Sequence, residues 1–187
     1  MGWYSEDTKF CDELIDYHNR PETKKGFGLF GGVDQVVNKD IKDSIDSCYS
    51  KEMITEFSYA RVLKQCLDLY NKKYELSACS YGYSLQEGFN IQNYPANGGY
   101  KTFHCERNNA DMPNVGRHLV FMTYLNTVDD GGGTEFYYQG ITVKAEKGLT
   151  LIWPADWTYT HRGVVSPSQE KWIITGWLGL NNEGNKT

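Results

Sequence analysis

The chain has 187 residues, a length that suits one domain and buries about 70% of its unfolded surface without disulfide staples. Hydrophobic residues make up 40% and charged residues 23%, ordinary proportions for a soluble globular protein. A net charge of −5 and a pI near 5.4 argue against a nucleic-acid backbone as the main partner, and no apolar run approaches the roughly 20 residues that span a bilayer.

The five cysteines, Cys11, Cys48, Cys66, Cys79 and Cys105, are odd in number and never at CxxC spacing. They read as free thiols in a reducing compartment. Met1 to Phe10 carries acids and lacks an apolar core, so it does not read as a signal peptide. A soluble cytoplasmic protein is expected, with no membrane or nucleic-acid partner.

In chain order, Ser5 to His18 predicts a first helix. Ser5 is placed to cap it, Glu6 and Asp7 suit the positive end of its dipole, and Phe10, Leu14 and Tyr17 share one side. Pro21 ends it. Lys25 to Gly32 is glycine-rich (Gly26, Gly28, Gly31, Gly32) and reads as a loop or irregular edge strand, with no GxGxxG or Walker pattern. Val36 to Asp46 alternates weakly, as a strand would. Ser50 to Tyr74 predicts the strongest helix: Ser50 as cap, Met53, Phe57, Leu63, Leu67, Tyr70 and Tyr74 at helical spacing, and no internal proline. That stripe reads as a packing surface rather than a cofactor box. Residues 76–86 read as a loop with aromatic residues.

From Phe89 the pattern changes to short β-type runs: Phe89–Tyr94, Tyr100–Glu106, Arg117–Leu125, Thr134–Tyr138, Ile141–Lys144, Leu149–Trp153, Tyr159–Val164 and Lys171–Leu180. Gly, Asn, Asp and Pro separate them, with Gly131-Gly132-Gly133 and Pro154 as punctuation. Such a series predicts a closed or sandwiched antiparallel sheet. The last six residues are polar and expected to fray.

The chemistry-bearing residues lie in these runs. A strand repeats every two residues, so His104 and Glu106 of Tyr100–Glu106 share a face with Tyr100 and Thr102. If His161 arrives from another strand, two imidazoles and one carboxylate meet at a point. That is the facial set that holds non-heme iron(II) and leaves positions open. The other histidines are His18 and His118; His118 shares a face with Val120, Met122 and Tyr124 and is the rival ligand. Lys171, Ile173, Thr175 and Trp177 share another face. An inward Lys171 needs a partner, because an uncompensated buried charge costs several kcal/mol. A bound organic anion would supply one; alternatively Lys171 merely opens its strand at the surface.

Four segments carry a resemblance. They are Asn93-Tyr94-Pro95 through Gly98-Gly99-Tyr100 to His104; Arg117 to Tyr124-Leu125-Asn126; Gly131-Gly132-Gly133-Thr134-Glu135-Phe136; and His161 followed ten residues later by Lys171-Trp172 and then Trp177. Together, from about Asn90 to Leu180, they resemble the iron(II)- and 2-oxoglutarate-dependent dioxygenases, in particular the prolyl 4-hydroxylase branch. The resemblance implies an α+β, mainly β fold: a double-stranded β-helix of jelly-roll, cupin-like type over residues 87–181, buttressed by a helical region over 1–86.

The resemblance also implies roles. His104, Glu106 and His161 would bind iron(II). Lys171 would pair with the distal carboxylate of 2-oxoglutarate, with Tyr124 donating a hydrogen bond to it. Tyr94 would lie beside iron and cosubstrate, Trp177 would wall the pocket, and Thr175 would lie close by. Dioxygen is the oxidant, with ascorbate as reductant. One departure stands out: the family usually has Asp where this chain has Glu106. The implied activity is hydroxylation of an unactivated C–H, foremost on a prolyl residue of a peptide or protein. A free amino acid or small metabolite is the alternative substrate, and a non-catalytic cupin-like binding module is the alternative class. Tyr81, Tyr83, Trp157 and Tyr159 are candidates for a substrate groove, though such residues more often cover a core.

Overall fold

A computed structural model describes residues 1–30, 35–78 and 82–181. Gly31, Gly32, Cys79, Tyr81 and the polar end after Asn181 lie outside the described residues.

The chain opens with strand β1 (Gly2–Tyr4) and helix α1 (Lys9–Asn19), followed by short strands β2 (Gly26–Phe27), β3 (Lys42–Asp43) and β4 (Ile45–Tyr49). A 3-10 turn over Lys51–Glu56 precedes helix α2 (Tyr59–Lys73). The β-rich part comprises β5 (Tyr83–Tyr94), β6 (Gly99–Tyr100), β7 (Arg117–Tyr124), β8 (Thr134–Phe136), β9 (Ile141–Val143), β10 (Leu149–Pro154), β11 (His161–Gly163) and β12 (Lys171–Leu180). A major sheet runs in the order β1-β10-β7-β12-β5-β4-β2, a minor one β11-β8-β9, and β3 pairs with β6. Every pairing is antiparallel. This is the expected double-stranded β-helix, with helices packed on the outer face of the major sheet.

Two cores follow from the alternation of side chains. Phe89, Ile91, Phe121, Ile152 and Ile174 turn toward the helices and meet Phe10, Leu14, Tyr59 and Leu63. Their opposites, Tyr94, Val120, Met122, Tyr124 and Ile173, turn between the sheets and meet Phe136 and Trp153. A buried hydroxyl chain pins α2 to the sheet: Tyr59 Oη lies 2.8 Å from Thr123 Oγ1, which lies 2.7 Å from Thr150 Oγ1. Leu14 is fully buried in the helix-side core. Leu14→Ala is expected to cost about 2–5 kcal/mol, through lost burial and the cavity left behind; urea unfolding measures it.

Several expected boundaries move, each for a local reason. Ser5 does not cap α1: β1 pairs with β10, and the Ser5 N–H is bonded to Gly148 O at 3.2 Å. The helix therefore starts at Lys9, with Thr8 at its N-cap position and no side-chain cap bond. Ser50–Tyr74 is two elements, because Phe57 is extended (φ −103°, ψ 145°). That turn drives the Phe57 ring against Tyr17, Tyr49 and Phe89. Val36–Asp46 is not one strand: the Asn38 carbonyl accepts from the Ile41 and Lys42 N–H groups and turns the chain. The expected loop at 76–86 contains the start of the 12-residue β5. The first half is not purely helical, since it contributes β1, β2 and β4 to the major sheet.

The most consequential change concerns Tyr100–Glu106, where only Gly99–Tyr100 is a strand. His104 instead makes a single bridge to His161, and Thr102 is exposed.

Candidate metal centre

Two backbone devices bring the three candidate donors together. His104 and His161 exchange hydrogen bonds, N–H to carbonyl oxygen, at 2.9 Å in both directions. Reciprocal bonding sets their side chains beside each other, and the ring centroids are 4.4 Å apart. The Glu106 and Arg107 N–H groups both donate to Ala155 O, at 3.2 and 3.0 Å. The chain bends there, and the Glu106 carboxylate returns toward the imidazoles. Glu106 Oε1 lies 3.5 Å from Nε2 of each histidine. The three donor atoms all fall within 4.8 Å of one another, the one such set of ligand-type side chains among the described residues.

The protonation chemistry suits a cation. His104 Nδ1 lies 3.0 Å from Thr102 O, and His161 Nδ1 lies 2.9 Å from Tyr159 O. A carbonyl can only accept, so each Nδ1 is the donor there, which leaves each Nε2, facing Glu106, as the nitrogen available to a metal. Burial lowers the His161 pKa below its ordinary 6.5 and favours neutral imidazole. Burial pushes Glu106 upward, but the hydrogen bonds and charges of His104 and His161 together outweigh it and hold the carboxyl well below the usual range. The ionised carboxylate is the form of Glu106 that a divalent metal binds, and a metal would displace any proton on the two Nε2 atoms. Tyr100 stacks on His104 at 3.7 Å between ring centroids, and Trp153 and Phe136 flank His161.

The second oxygen of Glu106 is held from behind. Trp177 Nε1 donates to Oε2 at 2.8 Å, and Arg117 lies 3.5 Å from the same atom. The guanidinium sits 3.9 Å over the Trp177 ring and makes a two-pronged pair with Glu87 at 2.8 and 2.7 Å. The longer side chain of Glu thus meets a dedicated clamp. Trp177, expected as a pocket wall, is the donor that orients the carboxylate. Arg117 and Glu87 were not among the expected site residues.

His118, the rival ligand, is absent from the cluster; its Nε2 lies 2.6 Å from Ser77 O. The strand parity that placed it with Val120 and Tyr124 fails at a register shift: Leu178 pairs with Leu119, but Gly179 pairs with Arg117. One skipped residue exchanges faces, so Arg117 turns toward the site. A break in hydrophobic alternation at Arg117-His118 was the available signal.

Trp177→Phe keeps an aromatic ring, though a smaller one, and loses the N–H. It is expected to lower divalent-metal affinity roughly 10–100-fold, the usual scale for loss of an outer partner of a ligand, while the fold persists. Titration with Co(II) measures the first and circular dichroism the second.

Lys171 opens β12 but is buried, which removes the surface reading. Its Nζ lies 4.8 Å from the centre of the Tyr94 ring, and among the described residues no carboxylate lies within salt-bridge distance of it. Burial lowers its pKa from 10.5 to about 8. A Cβ on Gly163 would stand 3.2 Å from Nζ, so the absence of a side chain there keeps space beside the ammonium. Tyr124 is buried, and its hydroxyl lies 2.6 Å from Thr134 Oγ1. Their mutual bond uses one of two protons, leaving one for a ligand. Thr175 donates to Phe121 O at 3.1 Å. Of the aromatic groove candidates, Tyr83 and Tyr159 are half-buried against the cores, while Trp157 is 62% exposed.

Cys11, Cys48, Cys66 and Cys105 are free thiols. Among the described residues, no helix is long and apolar enough to cross a membrane.

A double-stranded β-helix with a two-histidine, one-carboxylate cluster defines a class of mononuclear metal oxygenases by shape and donor chemistry. Residues 89–179 match the model of the 2OG-Fe(II) oxygenase superfamily. Its cofactor and cosubstrates are accordingly iron(II), 2-oxoglutarate and dioxygen.

Solved structures share the fold at low identity. A viral collagen prolyl hydroxylase from Paramecium bursaria Chlorella virus-1, solved with 2-oxoglutarate, is 17% identical with a TM-score of 0.64, over 97% of this chain and 96% of that one. A Pseudomonas putida prolyl-4-hydroxylase is 17% identical with a TM-score of 0.66, over 97% and 92%. A Trichoplax adhaerens prolyl hydroxylase, in complex with a hypoxia inducible factor peptide fragment, is 16% identical with a TM-score of 0.71, over 96% and 82%. No curated protein matches the sequence.

Proposed function

We propose that this protein is a hydroxylase that binds iron(II) through His104, Glu106 and His161, seats 2-oxoglutarate on Lys171, and acts on a prolyl residue of a peptide or protein. One observation carries the reading. A facial donor set and a buried ammonium, which has no carboxylate partner among the described residues, stand side by side: His161 and Gly163 share β11, and a Cβ on Gly163 would lie 3.2 Å from Lys171 Nζ. That combination suits a diacid bound to metal at one end and to a cation at the other.

The metal and cosubstrates supply, when bound, the oxidising power to insert oxygen into an unactivated C–H. The side chains perform the rest. The Nδ1 protons of His104 and His161, held by backbone carbonyls, aim both Nε2 lone pairs inward. Trp177 and Arg117 occupy one oxygen of Glu106 and leave the other for the cation. Lys171 compensates the charge of the diacid, and Tyr124 with Thr134 offers a proton to its oxygens. The apolar walls exclude water, which strengthens each of these contacts.

The prolyl assignment rests on the prolyl hydroxylases that share this fold over most of their length. Purified protein with iron(II), 2-oxoglutarate, ascorbate and a peptide library is expected to release succinate and add one oxygen atom to proline-containing peptides. Succinate release coupled only to free amino acids or small metabolites would replace the peptide reading.

A further inference from the structure

A second buried charge lies on the supporting strands, with Lys42 Nζ 5.9 Å from the centre of the Tyr100 ring. Lys42 and Asp46 are both buried and paired, Nζ to Oδ2 at 2.6 Å. Neither belongs to the donor set or to the Lys171 seat. The same Asp46 oxygen accepts from Gln92 Nε2 at 3.0 Å, and Gln92 Oε1 accepts from the Tyr94 hydroxyl at 2.8 Å. Asp46 and Gln92 are register partners on β4 and β5. Tyr94 follows two residues later on the same face, with its ring against Lys171.

The direction of each bond in this chain is forced. A carboxylate paired with an ammonium can only accept. Gln92 must therefore present its NH₂ to Asp46, which turns its carbonyl oxygen to Tyr94. An amide oxygen can only accept, so the phenol must give its single proton to Gln92. Tyr94 keeps lone pairs and no proton for anything else. Tyr124 and Thr134 differ, since that pair retains one free proton.

We propose that Lys42 and Asp46, acting through Gln92, fix Tyr94 as a hydrogen-bond acceptor beside Lys171, so that it receives an N–H or O–H there and donates nothing to the cosubstrate carboxylates. Lys42, Asp46 and Gln92 are then positioning residues. This rests on the reading that 2-oxoglutarate is seated on Lys171.

The test is calorimetric binding of 2-oxoglutarate to the full chain loaded with Co(II). Lys171→Ala checks the underlying reading: unchanged affinity there removes the seat itself. With that seat established, Tyr94→Phe is expected to change the dissociation constant by less than about fivefold. A donated bond to a carboxylate is worth about 1.5–3 kcal/mol, or tenfold and more, so a larger loss overturns the proposal. Gln92→Leu releases the phenolic proton. It is expected to tighten 2-oxoglutarate binding several-fold, and Tyr94→Phe added to it should cancel the gain. A folded Gln92→Leu protein with no gain also overturns the proposal; if that variant fails to fold, Tyr94→Phe alone decides.

Discussion

Glu106→Ala is expected to abolish turnover and to reduce metal affinity by more than about 100-fold, because loss of even an outer partner of a ligand costs roughly 10–100-fold. The substitution removes the only carboxylate of the donor set. It also strands the Trp177 N–H and leaves Arg117 with Glu87 as its one carboxylate partner among the described residues. Co(II) titration and succinate release measure the two effects; wild-type values for either would remove Glu106 from the proposed ligands. Glu106→Asp is the informative companion. Aspartate is usual in the resembling family, yet here it retracts the carboxylate from the indole and guanidinium that hold Oε2. Restoring the common residue is therefore expected to lower metal affinity relative to Glu106.

Lys171→Ala is expected to weaken 2-oxoglutarate binding by roughly 100-fold or more while leaving metal affinity nearly unchanged. Removing one partner of a buried ion pair costs about 3–5 kcal/mol, since the remaining charge is left uncompensated. Calorimetry with 2-oxoglutarate and with Co(II) separates the two; equal loss of both would count against the seat.

The same group gives a pH dependence with a definite sign. Burial lowers the pKa of Lys171 to about 8 from 10.5. Between those values the unfolded chain holds a proton that the folded chain has released, so stability of the ligand-free protein rises with pH across that window. A diacid reverses the preference by favouring the ammonium. Its binding is expected to weaken as pH climbs above about 8, and to take up protons there, which calorimetry in buffers of different ionisation enthalpy detects.

The β-rich half was legible because its signals are local. Alternation placed Phe89–Tyr94, Arg117–Leu125 and Lys171–Leu180 on or inside true strands, and each is buried on both faces by the other sheet or by the helices. The helix of Ser50–Tyr74 was legible in its second half only. Its first turn depends on the Phe57 ring reaching Tyr17 and Phe89, contacts with partners far away in sequence. β1 was missed for a similar reason: three residues carry no periodicity, and only the free edge of β10 makes them a strand.

Residue type and order alone determined which donors this protein possesses: two histidines, a glutamate two positions beyond the first, and a lysine ten beyond the second. Chemistry of that kind is written in the side chains and survives any error in secondary structure; the expected strand around His104 is not a strand, yet His104 and Glu106 still meet His161. Tertiary structure alone decided how those donors are oriented. The reach of Trp177 and Arg117 to Glu106, the exclusion of His118 by a shifted register, and the forced direction of the Tyr94 proton all arise from groups distant along the chain. Hydrogen bonds act over about 3 Å, and only the folded sheets bring such groups that close.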